Sequence, residues 1–392
     1  MILTWEFLFW GFLALIIYTY LGYGLLLYIG MKIKRLTRSL PAPPKEDYEP
    51  EVTIVIAAYN EGIILEEKIL NTLALDYPPH KIRVLLVTDG SDDNTAEIAA
   101  RYPLIGHEHQ PERQGKIAAV SRVMPQVTTP ITVFTDANTL LNPAAIRNMV
   151  KHFVSPQIGA VAGEKRVKSE KADSASGAGE GLYWKYESLL KTWDAELYSV
   201  VGAAGELFAI RTELFVQLPA DTLIEDFVLT LDITRRGFRV AYAPDAFAEE
   251  TPSDSVSEEL KRKVRISAGG LQAVWRLRSL LNPFRYGILT FQYVSHRVLR
   301  WTLAPIGLLV VFFSNLLLAG QGEPLYQWLI AGQILFYLAA VAGYLLENRR
   351  IRLKLLFVPF YFCLMNYAVF AGFVRLIRGK QSVIWEKAAR RS

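Results

Sequence analysis

Three apolar runs in this chain are each followed at once by acidic or amide side chains. Val52-Thr-Ile-Val-Ile-Ala-Ala58 leads into Tyr59-Asn60-Glu61, Ile82-Arg-Val-Leu-Leu-Val-Thr88 into Asp89-Gly90-Ser91-Asp92-Asp93, and Ile131-Thr-Val-Phe-Thr135 into Asp136-Ala137-Asn138. A carboxylate at the lip of a sheet is poorly placed for packing. It is well placed to hold Mg²⁺ or Mn²⁺ against a diphosphate. Asp136, with Asn138 two residues on, has that position. The same residue types also make turns and helix caps, and Asn142-Pro143 is suited to open a helix, so a purely structural role stays open for Asp89 and Asp136 alike.

Two more groups carry charge in a pattern. Ile224-Glu225-Asp226 stands at the head of an apolar helical run, where acids are favoured by the helix dipole. A general base has a stricter requirement, a carboxylate at a cleft edge within reach of a hydroxyl proton. Farther on, Lys261-Arg-Lys-Val-Arg265 lies on a helical stretch through Gln272 and Trp275. Arg262 and Arg265 are three apart and share a face, which suits a departing diphosphate as well as it suits a basic helix lying along a membrane.

These groups need a frame. The apolar β-branched runs read as buried parallel strands, and the stretches at 63–75, 96–102 and 115–124 read as helices, with Asp92-Asp-Asn-Thr95 capping the second. The rhythm βαβαβ implies an α/β sheet flanked by helices, whose ligands bind beyond the carboxyl ends of the strands. Three common motifs fail. No Gly-x-Gly-x-x-Gly follows a strand, Gly115-Lys116 lacks the rest of a P-loop, and the EF-hand-like opening Asp89–Asp93 carries Asn94 and Ala100 where a glycine and an acid belong.

Composition adds a membrane. Of 392 residues 52% are hydrophobic and 21% charged, and the formal charge is +5. The 12% aromatic content excludes a disordered chain, and the single Cys363 excludes a disulfide scaffold. Residues 7–31, 301–322, 324–346 and 355–374 carry no charge, each run reaching the ~20 residues that cross a bilayer. The first is too long for a signal peptide and has no basic residue before it. Lys32, Lys34, Arg35 and Arg38 follow it, and Arg349, Arg350, Arg352 and Lys354 lie between later spans. That placement fits membrane topology rather than a groove for nucleic acid, and puts the intervening segment in the cytoplasm. The basic tail from Arg375 through Lys380 and Lys387 to Arg391 then ends outside, unless the last apolar run is re-entrant. Residues 283–300 read as an amphipathic helix in the headgroup region, and the prolines at 41, 43 and 44 mark a linker.

In chain order, Ala57-Ala-Tyr-Asn-Glu61, Thr88-Asp-Gly-Ser-Asp-Asp-Asn-Thr95, Arg113-Gln-Gly-Lys116, Thr135-Asp-Ala-Asn138, Gly202-Ala-Ala-Gly-Glu-Leu-Phe-Ala-Ile-Arg211 and Ile224-Glu-Asp226 resemble the membrane-integrated family 2 glycosyltransferases, the group of hyaluronan, chitin and cellulose synthases. The resemblance implies a GT-A type fold, mostly parallel, between N- and C-terminal transmembrane helices. It implies a nucleotide-diphosphate sugar as donor, usually UDP-linked, with Ala57, Tyr59, Glu61, Asp89 and Lys116 around the nucleotide. It assigns Asp136 and Asn138 to a divalent cation, Gly202 and Gly205 to the acceptor, Arg262 and Arg265 to the diphosphate, and Glu225 and Asp226 to catalysis, Asp226 as the base. Ile224 stands where the family has threonine. Arg262-Lys-Val-Arg265-Ile266 stands where processive synthases carry Gln-x-x-Arg-Trp, so transfer of one or a few sugars competes with polymerisation.

The expectation is a multi-pass enzyme of the inner (plasma) membrane acting on a lipid-linked or saccharide acceptor. Its organisation would be an anchor at 1–31, a juxtamembrane linker at 32–50, a cytosolic transferase domain at 51–282, the interfacial helix at 283–300, three membrane segments within 301–374 and a tail at 375–392. A transport or assembly subunit with an inactive transferase-like domain is one alternative, and a metal-dependent nucleotidyltransferase is another.

Overall fold

The computed structural model describes residues 2–37, 48–167, 175–251, 255–348 and 353–379. The proline run at 41–44 and the basic residues Arg38, Arg349, Arg350, Arg352, Lys380, Lys387, Arg390 and Arg391 lie outside the described residues. Two compact units emerge. One holds residues 34–168 and 191–252; the other holds 1–33, 169–190 and 253–381.

The first unit is built on eight strands: β1 (Val52–Ala58), β2 (Ile82–Asp89), β3 (Gly106–Gln110), β4 (Ile131–Asp136), β5 (Thr139–Leu141), β6 (Ile158–Val167), β7 (Leu207–Arg211) and β8 (Arg239–Glu250). Their order in the sheet is β3-β2-β1-β4-β7-β6-β8-β5. The first four are mutually parallel. Beyond them β7 runs antiparallel to β4 and to β6, and β5 antiparallel to β8, while β6 and β8 are parallel. The sheet is therefore mixed, its parallel half being the one the apolar runs announce.

β1, β2 and β4 are covered on both faces, which is why they read as mostly apolar runs. Val52, Ile54 and Ile56 enter one core with Leu65, Ile69, Val84 and Leu86. Val55 enters the other with Val120, Val123, Phe134, Phe208, Leu229 and Ile233. Each such side chain contributes about 1.5–3 kcal/mol on burial, so the two layers hold the strand ends firmly. The helices expected between them are Leu65–Leu73, Thr95–Ala100 and Lys116–Val123. The second is capped from within the expected segment Asp92–Thr95. Asn94 makes no side-chain cap bond, and Asp93 Oδ1 instead accepts from Thr95 N at 2.9 Å.

The other unit is helical. Leu3–Thr37, Pro324–Glu347 and Leu355–Ile377 are long and apolar enough to cross a membrane. Ile288–Trp301 and Leu303–Ala319 meet the same test only as a pair, bent by 53°. The bend falls at Thr302 (φ −130°, ψ −87°), three residues before Pro305. Proline lacks the N–H that would bond the Trp301 carbonyl, so the helix cannot run straight through. Within 283–300 the chain is likewise interrupted, Gly287 taking φ +52° between Pro283–Tyr286 and Ile288–Tyr293. The last helix lies so close to Val256–Arg276 that a Cβ on Gly372 would stand 2.8 Å from Ala268 N.

Candidate active site

Strand register brings the polar groups together. Ala57 pairs with Val87 on one side and Asp136 on the other, and Ala58 pairs with Thr88, so Tyr59 and Asp89 leave the sheet side by side. On the far side of β4, Thr135 faces Leu207 of the antiparallel β7, which delivers Gly205 and Glu206 against Asp136. The helix Glu225–Arg235 opens with Glu225 and Asp226 in its first turn. Its Asp226 carbonyl accepts from Thr230 Oγ1 at 2.7 Å, and that hydroxyl accepts from Ala203 N at 3.0 Å, tying the glycine loop to the helix.

Lys116 is the hub. Its Nζ lies 2.6 Å from Asp136 Oδ1 and 3.1 Å from Glu225 Oε1. Burial alone would pull this ammonium down, but Asp136, Glu225 and Asp226 outweigh it and hold Lys116 well above its ordinary value. Asp136 is raised, by burial first and then by Glu206 and Glu225, against the pull of Lys116. Asp226 is pushed up to about 7 by burial and by the adjacent Glu225, with Lys116 opposing. A carboxylate poised near neutrality, in a cluster of charged neighbours, is the kind of group that moves protons.

Asp89, 4% exposed, sits behind this cluster. Its Oδ2 accepts from Gln114 N at 2.9 Å and Gly115 N at 2.6 Å, holding the turn that launches Lys116. Its Oδ1 makes no hydrogen bond and faces Arg122 Nη2 at 3.6 Å. The Arg113 guanidinium lies over the Tyr59 ring, 3.5 Å from the centroid. Asn60, at φ +53°, receives Asp92 N at 2.9 Å on its side-chain oxygen, and Thr95 Oγ1 accepts from Glu61 N at 2.8 Å. Tyr59, Glu61 and Asp89 therefore lie in loops bound to one another.

Space demands glycine at 202, and at 205 a side chain would crowd the charged cluster. A Cβ on Gly205 would stand 3.2 Å from Lys116 Nζ and 3.6 Å from the Asp226 carboxylate, filling the gap in front of both. Gly202 has φ +80°, and its Cβ would lie 2.1 Å from the Phe227 ring. Gly202→Ala is expected to destabilise the protein by about 1–3 kcal/mol, read as a lower apparent Tm in detergent; an unchanged Tm would contradict this account of the loop.

The donor set suits a hard cation. Asp136 offers a carboxylate and Asn138, 6% exposed, an amide oxygen two residues on. Among the described residues no three His, Cys, Asp or Glu side chains form a metal cage. Mg²⁺ and Mn²⁺ commonly bind through one or two protein oxygens plus substrate phosphates, so the residues fit that mode. Arg262 and Arg265 lie on Val256–Arg276 in the helical unit, where Arg262 is paired with Glu259 at 2.8 Å.

Two residues of this neighbourhood carry no role in the sequence reading. Glu206 is bonded to Lys165, which also pairs with Glu250 at 2.9 Å. Lys68 lies fully buried beneath β4, where burial drives it down to about 7 against the pull of Asp136. A signal for it does exist: Leu65, Lys68, Ile69 and Thr72 follow the i, i+3, i+4, i+7 spacing of a core-facing stripe, and a lysine occupies one of its positions.

Residues 50–269 match the family described as glycosyltransferase like family 2. Among curated relatives, the poly-β-1,6-N-acetyl-D-glucosamine synthase of Staphylococcus aureus is 27% identical over 238 residues, 57% of this chain and 56% of the relative. The synthase of the same name from Staphylococcus epidermidis is 24% identical over 266 residues, 64% of this chain and 62% of the relative. The chain thus spans little more than half the length of the curated relatives it matches. Among solved structures, the mannosyltransferase PcManGT from Pyrobaculum calidifontis, in complex with GDP-Man and Mn²⁺, is similar with a TM-score of 0.73 over 95% of this chain and 99% of that one, at 22% identity. That likeness shows the fold, a GT-A-like α/β sheet flanked by helices.

Proposed function

Because this chain belongs to glycosyltransferase like family 2, we propose that it is a membrane-bound, inverting enzyme that moves a sugar from a UDP-linked donor to a hydroxyl of a lipid-linked or saccharide acceptor. The observation that supports this most is the meeting of Lys116 with Asp136 and Glu225 at the carboxyl end of the sheet, Asp226 beside them.

In this reading the bond between the anomeric carbon and the diphosphate breaks as the acceptor oxygen attacks from the opposite face. Asp226 takes the hydroxyl proton, and its elevated pKa makes it a base matched to neutral pH. Lys116 meets the charge that develops on the departing diphosphate. We assign Arg262 and Arg265 the same task on the resemblance alone. Asp136 and Asn138 would hold Mg²⁺ or Mn²⁺, which when bound supplies Lewis-acid charge to phosphate oxygens. Asp89 offers Oδ1 to a base N–H, Ala57, Tyr59 and Glu61 complete the nucleoside surroundings, and Gly202 and Gly205 leave room for the acceptor.

The relatives' names favour N-acetylglucosamine as the sugar, with mannose from a GDP donor second. Ile266 in place of the tryptophan of processive synthases favours transfer of one or a few sugars. The basic residues Lys32, Lys34 and Arg35 after the first span favour a multi-pass protein of the plasma (inner) membrane with residues 51–282 in the cytoplasm. Residues 1–31 and 301–374 would then anchor it, with 283–300 at the interface.

The direct assay is purified protein in lipid, offered a panel of nucleotide sugars, with released nucleoside diphosphate measured. Turnover of at least one donor supports the reading. Silence across the panel, or pyrophosphate released from a nucleoside triphosphate, overturns it. A pH profile refines it. The base form of Asp226 is the active one, so kcat/KM rises with pH through about 7 on the acid side. Lys116 lowers Asp226, while Glu225 and Glu206 raise it; Glu225→Gln removes one of the raising charges and is expected to move that limb to lower pH. A limb that stays put or moves upward argues against Asp226 as the base.

A further inference from the structure

Lys68 is 0% exposed, within the helix Leu65–Leu73 that covers the sheet. Its Nζ donates to Thr135 Oγ1 at 2.9 Å and to the Thr139 carbonyl at 2.8 Å. Those two residues flank Asp136-Ala137-Asn138 on either side. Thr139 Oγ1 donates back to the Asp136 carbonyl at 3.0 Å, closing the turn. Thr135 Oγ1 donates to the Glu206 carbonyl at 2.9 Å, joining the turn to the end of the glycine loop. One buried amine therefore spans the turn and, through a single hydroxyl, reaches the segment that lies against it.

An ammonium taken out of water carries a large desolvation cost, and an apolar side chain of similar length would pack in its place without that cost. The bonds it makes run to a hydroxyl and a backbone carbonyl, none of which needs a charge for stability alone. What its reach and its two donated bonds provide is a fixed turn beneath Asp136 and Asn138.

We propose that Lys68 is a positioning residue for the donor: by clamping Thr135 and Thr139 it sets the oxygens of Asp136 and Asn138 at the place where a cation-bound diphosphate docks. This rests on the reading of Asp136 and Asn138 as the cation side of the donor site. Outer partners of metal ligands commonly contribute about 10- to 100-fold in metal affinity, and an effect of that size is expected here.

The test is calorimetric, on the full chain in lipid, with UDP and with GDP, each in Mn²⁺ and in EDTA. In Lys68→Met the gain in affinity that Mn²⁺ brings is expected to shrink about 10- to 100-fold, while affinity in EDTA stays at the parental value. That ratio does not respond to a general loss of folded protein. Should Lys68→Met fail to fold, Thr135→Val removes the hydroxyl and is expected to shrink the same gain, whereas Thr135→Ser keeps the hydroxyl and the parental gain. A folded Lys68→Met, or Thr135→Val, with the parental Mn²⁺ gain overturns the inference. A parent that binds neither nucleotide overturns the reading of the donor site and the inference with it. A parent that binds, beside variants that bind equally well, overturns the inference alone.

Discussion

Asp226→Asn is expected to lower kcat by about 10²–10⁴-fold, the usual contribution of a positioned base, while the affinity for nucleoside diphosphate and Mn²⁺ changes little. The asparagine keeps the shape of the side chain at the head of Glu225–Arg235 and keeps the Thr230 bond to the residue 226 carbonyl, because that bond uses backbone. What it loses is proton acceptance. Stopped turnover with retained nucleotide binding separates a chemical role from a structural one. Near-normal kcat in this variant removes Asp226 from the mechanism, and a joint collapse of binding and turnover makes it a structural residue.

Asp136→Ala acts on the opposite term. It deletes both the cation ligand of the proposal and the nearest partner of Lys116, at 2.6 Å. Donor KM is expected to rise on the order of 10²-fold, the scale on which misplaced reacting groups lose rate and binding, and the remaining affinity should no longer respond to Mn²⁺ or EDTA. Lys116 keeps Glu225 at 3.1 Å, so the fold around it should survive with a modest change in Tm. Donor affinity that still depends on Mn²⁺ in this variant would place the cation on other ligands.

Much of this arrangement is legible in the chain itself. β1 and β4 are buried along nearly their whole length and β2 over its second half, so they spell mostly apolar runs, and the carboxylates behind them stand where such strands must end. The acids at 225 and 226 read correctly as the head of a helix for the same reason, an apolar run begins directly after them. The rest of the sheet hides behind polar letters. β3 is Gly-His-Glu-His-Gln, an edge strand that pairs with β2. β6 and β8 carry Lys165 and Glu250 in buried positions, charges that no periodicity rule would place inside. They are tolerated because they pair with each other across the sheet, and that pairing exists only once the fold does.

The site divides along the same line. Lys116, Asp136, Gly205 and the pair Glu225–Asp226 are far apart in the chain and meet only where β4 ends and β7 and two helices begin. Their order in the sequence announces the family, while the 2.6 Å pair between Lys116 and Asp136 is not visible there. Lys68 was readable in principle, as a lysine within an apolar helical stripe, yet such a residue more often snorkels to solvent. Only the Thr135 and Thr139 bonds give it a destination.

Direct displacement with one base fixes the stereochemistry of the first linkage made. An α-linked nucleotide sugar, once the donor panel has identified it, is supplied to the purified enzyme with acceptor, and the anomeric proton of the isolated product is read by nuclear magnetic resonance. The large coupling of a β-linkage from a gluco-configured donor is the predicted result. Retention of the α-configuration would contradict a single displacement assisted by Asp226, and with it the account of this site.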